Sequence, residues 1–177
     1  MSAFANTDGG RLLIGVRDDG NLSGVRSEEE IYMMHVAAFK YCKPQPTLKF
    51  ETFHVDGRTI VVATVYASDR KPVLAKDYDG RDVAYIRIAD ENIVASPVHI
   101  AIWRQETSLR GRLMTYSDHE RKLMAAMQQQ PWQTLNQIVR RAKLPRHRVV
   151  ATLAQLVRFG LAEWRFVDHR FLFGLIA

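Results

Sequence analysis

The chain has 177 residues, 47% hydrophobic and 25% charged, which is the balance of a folded globular protein and excludes a disordered one. Its apolar runs, such as Ile60 to Val65 and Phe171 to Ala177, fall far short of the roughly 20 residues that cross a bilayer, and the N-terminal stretch has no cationic region followed by an apolar core. No membrane partner and a cytoplasmic location are therefore expected. The single cysteine, Cys42, excludes an internal disulfide and a cysteine zinc site, fits a reducing compartment and reads as a small buried or half-buried side chain. The formal charge of +6 is unevenly spread: residues 1–111 carry 14 Lys and Arg against 15 Asp and Glu, and residues 112–177 carry 11 against 4. The basic excess lies wholly in the last third, which predicts two domains with different electrostatic roles and an acidic partner for the second.

In chain order, GGRLLIGV reads as a strand closed by the turn formers Asp18, Asp19, Gly20 and Asn21, with a short partner around Leu22 to Val25. Ser27 and Glu30 have capping-box spacing, and the helix they open carries Ile31, Met34, Ala38 and Tyr41 on one stripe as far as about Cys42, before Pro44. His35 beside that stripe reads as a packing residue. Asp56-Gly57 between Thr47–Val55 and Thr59–Ala67 is a type I′ hairpin signal, and TIVVATVYA, apolar on both faces, is expected as a central strand. Asp79-Gly80 marks a second extended pair with VAYIRIA as its second arm, and Ser96-Pro97 starts a helix that should reach about Gln105. The first domain is therefore mixed α/β over 1–106, followed by a linker at 107–115.

The C-terminal part, 116–177, reads as helices throughout its first half. Ser117 with Glu120 and Thr134 with Gln137 form two more capping boxes, and Leu135, Ile138, Val139 and Ala142 recur at helical spacing. Pro145 opens a third helix with a core face of Val149 or Val150, Leu153, Leu156 and Val157, which Gly160 ends. LAEWRF and RFLFGL then alternate around Val167-Asp168-His169. Helix, helix, tight turn, helix and two-stranded wing is the order of a winged helix-turn-helix domain, so the fold class is α+β. Trp132, Trp164, Phe166, Phe171 and Phe173 are expected mainly in its core.

The exposed remainder indicates function. The third helix offers Arg146, His147 and Arg148 in its first turn with Thr152 and Gln155 farther along, and no acidic residue occurs from Lys143 to Ala162. Arginine and glutamine at such positions suit base edges in the major groove of double-stranded DNA. Arg140, Arg141, Lys143 and Arg158 suit phosphates, while Arg165, His169 and Arg170 on the wing suit the backbone or minor groove. The bland alternative is a solvated basic face on a protein-interaction module that never touches DNA.

The string SAFANTDGGRLLIGVRDDGNLSGV, continued by Lys71-Pro72-Val73, Tyr85-Ile86-Arg87 and Ala95-Ser96, resembles the Schlafen AlbA-type family of bacterial regulators over roughly residues 1–100. The resemblance implies a compact α/β domain associated with nucleic acid, often joined to a C-terminal winged helix. It places Asn6, Thr7 and Asp8 where a helix meets the first strand, gives Gly9 and Gly10 a tight backbone passage, and adds Arg87 to the motif. It also implies a family segment upstream of this string, so that Met1 stands inside the family's domain. In Schlafen-like nucleases that segment carries two of three cooperating carboxylates, and here only Asp18 or Asp19 matches the third. A metal-dependent nuclease is thus the enzymatic alternative, with Asp18 and Asp19 otherwise ordinary turn residues.

The chain has no G-x-x-x-x-G-K-[ST] loop, no HExxH, no cysteine pair and no G-x-S-x-G, so neither a catalytic residue nor a cofactor or metal is expected. The reading is a non-enzymatic transcription regulator that acts as a homodimer on duplex DNA. Its near-neutral first domain serves dimerisation, added nucleic-acid contact or sensing of a small-molecule effector, and Arg17, Lys71 and Arg87 are its basic residues of interest.

Overall fold

The computed structural model describes residues 1–26, 28–106 and 117–176. It divides into two units, Met1–Ala95 and Ser96–Ala177.

In the first unit a short helix α1 (Ser2–Asn6) leads into β1 (Gly10–Ile14), followed by α2 (Glu29–Phe39), β2 (Cys42–Lys43), β3 (Leu48–Val55), β4 (Arg58–Val65), β5 (Leu74–Lys76), β6 (Asp82–Ile88) and β7 (Glu91–Val94). Two antiparallel sheets result, ordered β1-β4-β3 and β2-β5-β6-β7. Asp56 and Gly57 both take positive φ, 48° and 71°, as a two-residue hairpin between right-twisted strands requires. The doubly apolar strand β4 is central, with Val61, Ala63 and Val65 buried on one face beside Ile14, Leu12 and Gly10 of β1. On the opposite face of β1, Leu13 stays exposed. Ala5, Cys42, Val65 and Val73 form a small core, so Cys42 is the buried side chain expected of it.

Two local expectations differ here. Helix α2 stops at Phe39, and Tyr41, expected on its stripe, is exposed outside it. The reason is tertiary: Cys42 and Lys43 are drawn into pairing with Ala75 and Leu74. The proposed Ser27 cap lies outside the described residues, while the carboxylate of Glu30 accepts from the backbone N–H of Arg26 at 3.0 Å. Leu22 meets Val16 in a single bridge only.

The second unit contains α3 (Pro97–Glu106), α4 (Asp118–Gln128), β8 (Gln133–Thr134), α5 (Leu135–Ala142), α6 (Arg146–Arg158), β9 (Ala162–Val167) and β10 (Arg170–Leu175). Its sheet has the order β8-β10-β9. The sequence placed α3 in the first domain, with a boundary near 106. The structure places the boundary after Ala95, because Val98 is fully buried in the second core with Leu123, Ile138, Val149, Leu153, Leu156 and Phe173. The expected linker, 107–115, lies outside the described residues.

Both C-terminal capping boxes form, Ser117 with Glu120 and Thr134 with Gln137. Burial pushes the Glu120 carboxyl up, but hydrogen bonds from the Ser117 hydroxyl and from backbone N–H groups outweigh it and hold the group below the usual range. Gly160, at φ 67°, ends α6 with the paired bonds Leu161 N–H to Leu156 C=O and Gly160 N–H to Val157 C=O. Asp168 and His169 join β9 to β10 with both φ values positive. Phe173 is buried, and Trp132, Trp164, Phe166 and Phe171 are half-buried. Among the described residues no helix is long and apolar enough to cross a membrane.

Candidate nucleic-acid interface

Helix α6 is held by Val149, Leu153 and Leu156, each fully buried, and this anchoring turns Arg146, His147 and Arg148 of its first turn outward into solvent. Pro145 at its N-cap supplies no N–H and fixes the start, while Lys143 in the left-handed conformation (φ 52°) closes the turn from α5. Arg140, Arg141 and Lys143 are exposed on α5 and that turn. One nitrogen of Arg146 donates to Asn136 Oδ1 and one of Arg141 to Gln130 Oε1, both at 2.5 Å.

Thr152 does not belong to this surface. It is 6% exposed, with its hydroxyl 3.5 Å from Glu120 Oε1. Packing selects Val149 rather than Val150 as the start of the core stripe, and the helical repeat then carries that stripe through 152, 153 and 156, which turns Thr152 inward. Gln155 is half-buried, and Arg158 is half-buried with a nitrogen 3.5 Å from Gln105 Oε1 of α3. On the hairpin, the Arg165 guanidinium lies 3.7 Å from the centre of the Trp132 ring and 3.2 Å from Glu163. His169 occupies the turn and Arg170 begins β10, both exposed.

Sequence reasoning missed Asn136, which steadies Arg146, and it expected Trp132 mainly in the core, whereas that half-buried ring takes a left-handed conformation (φ 57°) and carries Arg165. It also missed His99. That side chain is buried between Trp164 and Phe171, with Nδ1 2.7 Å from Ser96 Oγ at the start of α3. Burial alone lowers its pKa to about 4. The signal was legible, since Ser96 and His99 have the N-cap to N3 spacing, but histidine is not the usual partner in a capping box.

The motif residues of the first unit form a bracket rather than a surface. Asn6 is buried; its amide nitrogen donates to Val73 O at 2.8 Å and Tyr85 O at 2.9 Å, and its carbonyl oxygen accepts from Val73 N at 2.7 Å. One side chain thereby satisfies both backbone groups of Val73, as a neighbouring strand would. Thr7 donates to Ala3 O and accepts from Arg87 N, and Lys71 Nζ donates to Thr7 O at 3.1 Å. The Arg87 guanidinium sits 5.3 Å from the centre of the Phe4 ring and donates to Asn92 Oδ1. Gly9 has φ 80°, and a Cβ there would stand 2.7 Å from Val65 O, so glycine is required. At Gly10 a Cβ would meet the Phe4 ring at 2.3 Å. Asp8 is exposed.

Asp18 and Asp19 are exposed turn residues, and both Asp19 carboxylate oxygens accept bonds from Asn21, which hold that carboxyl below the usual range. Among the described residues no group of three or more His, Cys, Asp or Glu side chains is placed to hold a metal ion.

Fold and site together define a mixed α/β protein whose first unit is tied by an asparagine-centred bracket and whose second is a basic helical unit with a β-hairpin. Residues 1–96, more than half of the chain, match the family model described as Schlafen, AlbA_2, and the chain belongs to that family. This membership suggests a nucleic-acid-binding domain. No curated protein matches the chain. Among solved structures, it is similar to the crystal structure of the DIP2311 protein from Corynebacterium diphtheriae, with 18% identity and a TM-score of 0.45 over 72% of this chain and 26% of that one. The chain thus spans about a quarter of the length of that protein.

Proposed function

We propose that this protein is a DNA-binding transcription regulator whose second unit is a winged helix that reads duplex DNA through α6. The observation that carries the reading is the first turn of α6. Three exposed cationic or imidazole side chains, Arg146, His147 and Arg148, stand on a rigidly packed helix with no carboxylate from Lys143 to Ala162. A helix so presented fits the major groove, where arginine forms paired bonds with guanine O6 and N7. Arg140, Arg141 and Lys143 are placed for phosphates, and the β9–β10 hairpin with His169 and Arg170 is the wing. The order α4, β8, α5, α6, β9, β10, with β8 added to the hairpin sheet, supports this reading of the unit. The first unit, with its near-neutral charge, serves self-association, and the active species is a homodimer on paired half-sites. Asp18 and Asp19 are turn residues in this reading.

Fluorescence anisotropy with random duplex DNA at several salt concentrations tests it. Affinity is expected to fall steeply with salt, and Arg146→Ala with Arg148→Ala is expected to bind at least about tenfold more weakly, roughly 1.4 kcal/mol. Absence of binding by the intact chain at low salt would overturn the reading. Sedimentation of the complex reports whether two copies share one duplex.

A further inference from the structure

Within the second unit, a cleft of about 490 Å³ is lined by Arg140 of α5, Arg146 of α6 and Arg170 of β10 together with the apolar side chains of Leu135 and Phe171. Its lining contains no carboxylate. Among the described residues none of the three guanidinium groups has an ion-pair partner, and Arg146 alone is steadied, by Asn136 at 2.5 Å. Each guanidinium has five N–H donors, so one bond to Asn136 leaves most of the capacity of Arg146 unused. Three like charges gathered around one concavity repel one another, and the low-dielectric walls concentrate their field. An anion with several acceptor oxygens relieves that repulsion and matches the planar forks of arginine.

We propose that the cleft bordered by Arg140, Arg146 and Arg170 is a discrete phosphoryl-binding site. Its occupant is either a backbone phosphate of bound duplex DNA or the phosphate of a free phosphorylated molecule. The first source rests on the DNA-binding reading, whereas the site itself does not. Arg146 is shared between the cleft and the first turn of α6, so occupancy of the cleft bears directly on how α6 meets its partner.

Pyrophosphate serves as the probe, titrated calorimetrically into the full chain at low ionic strength. One equivalent is expected to bind. Arg140→Gln with Arg170→Gln should weaken it at least tenfold, while Arg121→Gln with Lys122→Gln, which removes the same charge from α4, should leave it unchanged. Each single glutamine variant at 140 and 170 should give an intermediate loss. Equal weakening in the cleft and α4 variants, or no stoichiometric binding to the intact chain, overturns the proposal. Two further arms separate the sources. Displacement of labelled duplex by pyrophosphate, together with a salt dependence lowered by about one to two phosphate contacts in the cleft variant, identifies the backbone phosphate. Undiminished pyrophosphate binding to the DNA-bound chain identifies a free phosphorylated ligand. If the intact chain binds no DNA but retains pyrophosphate in the cleft, the DNA reading fails and the site stands.

Discussion

Asn6 shows how a motif residue acts through the backbone. Its amide replaces a strand neighbour for Val73 and also caps Tyr85 O, so Val73 N–H and Tyr85 C=O depend on one side chain, while Val73 C=O is shared with the Ser2 hydroxyl at 2.7 Å. Asn6→Ala leaves Val73 N–H and Tyr85 C=O without that partner, at a cost of about 2 kcal/mol or more, to be read as a lower urea midpoint. His99 gives a pH-dependent counterpart. In the folded chain its pKa is near 4, so the ring is neutral at pH 7, whereas the unfolded chain takes up the proton near 6.5. The unfolded state therefore binds more protons between those values. The stability held above pH 6.5 is lost progressively as pH falls toward 4, by about 2 kcal/mol at pH 5. Urea unfolding at pH 7 and pH 5 measures the loss, and His99→Gln should largely abolish the difference.

At the scale of the element, the α5–α6 turn combines a strained position with a charge. Lys143 is left-handed without the freedom of glycine. Lys143→Gly is expected to raise thermal stability by about 1 kcal/mol while weakening DNA binding and lowering its salt dependence by about one phosphate contact. A gain in stability without any change in salt dependence would remove Lys143 from the interface. Caps and turns were legible in the sequence because their chemistry is local: Ser117 with Glu120, Thr134 with Gln137, Asp56-Gly57 and Gly160 each act within a few residues. The end of α2 was not legible, since the partners that pull Cys42 and Lys43 out of the helix are Ala75 and Leu74, more than 30 residues away.

Across the whole molecule, the charge asymmetry is the most informative quantity. The second unit carries the basic excess, so the salt dependence of the Arg146→Ala with Arg148→Ala comparison is where the DNA reading stands or falls. Helix stripes, caps, hairpin turns, the concentration of cations after residue 111 and the AFANTDGG string that marks the family depend on neighbours along the chain, and the residues alone make them legible. Packing between partners far apart in the chain settled the rest. It moved α3 into the second unit through Val98 and turned Thr152 inward by fixing Val149 as the start of the core stripe. It also placed Arg165 on Trp132 and gathered Arg140, Arg146 and Arg170 around one cleft. A helical repeat limits which faces are available, but packing against other elements selects the face that is buried, and that selection decides which cations remain to meet a ligand.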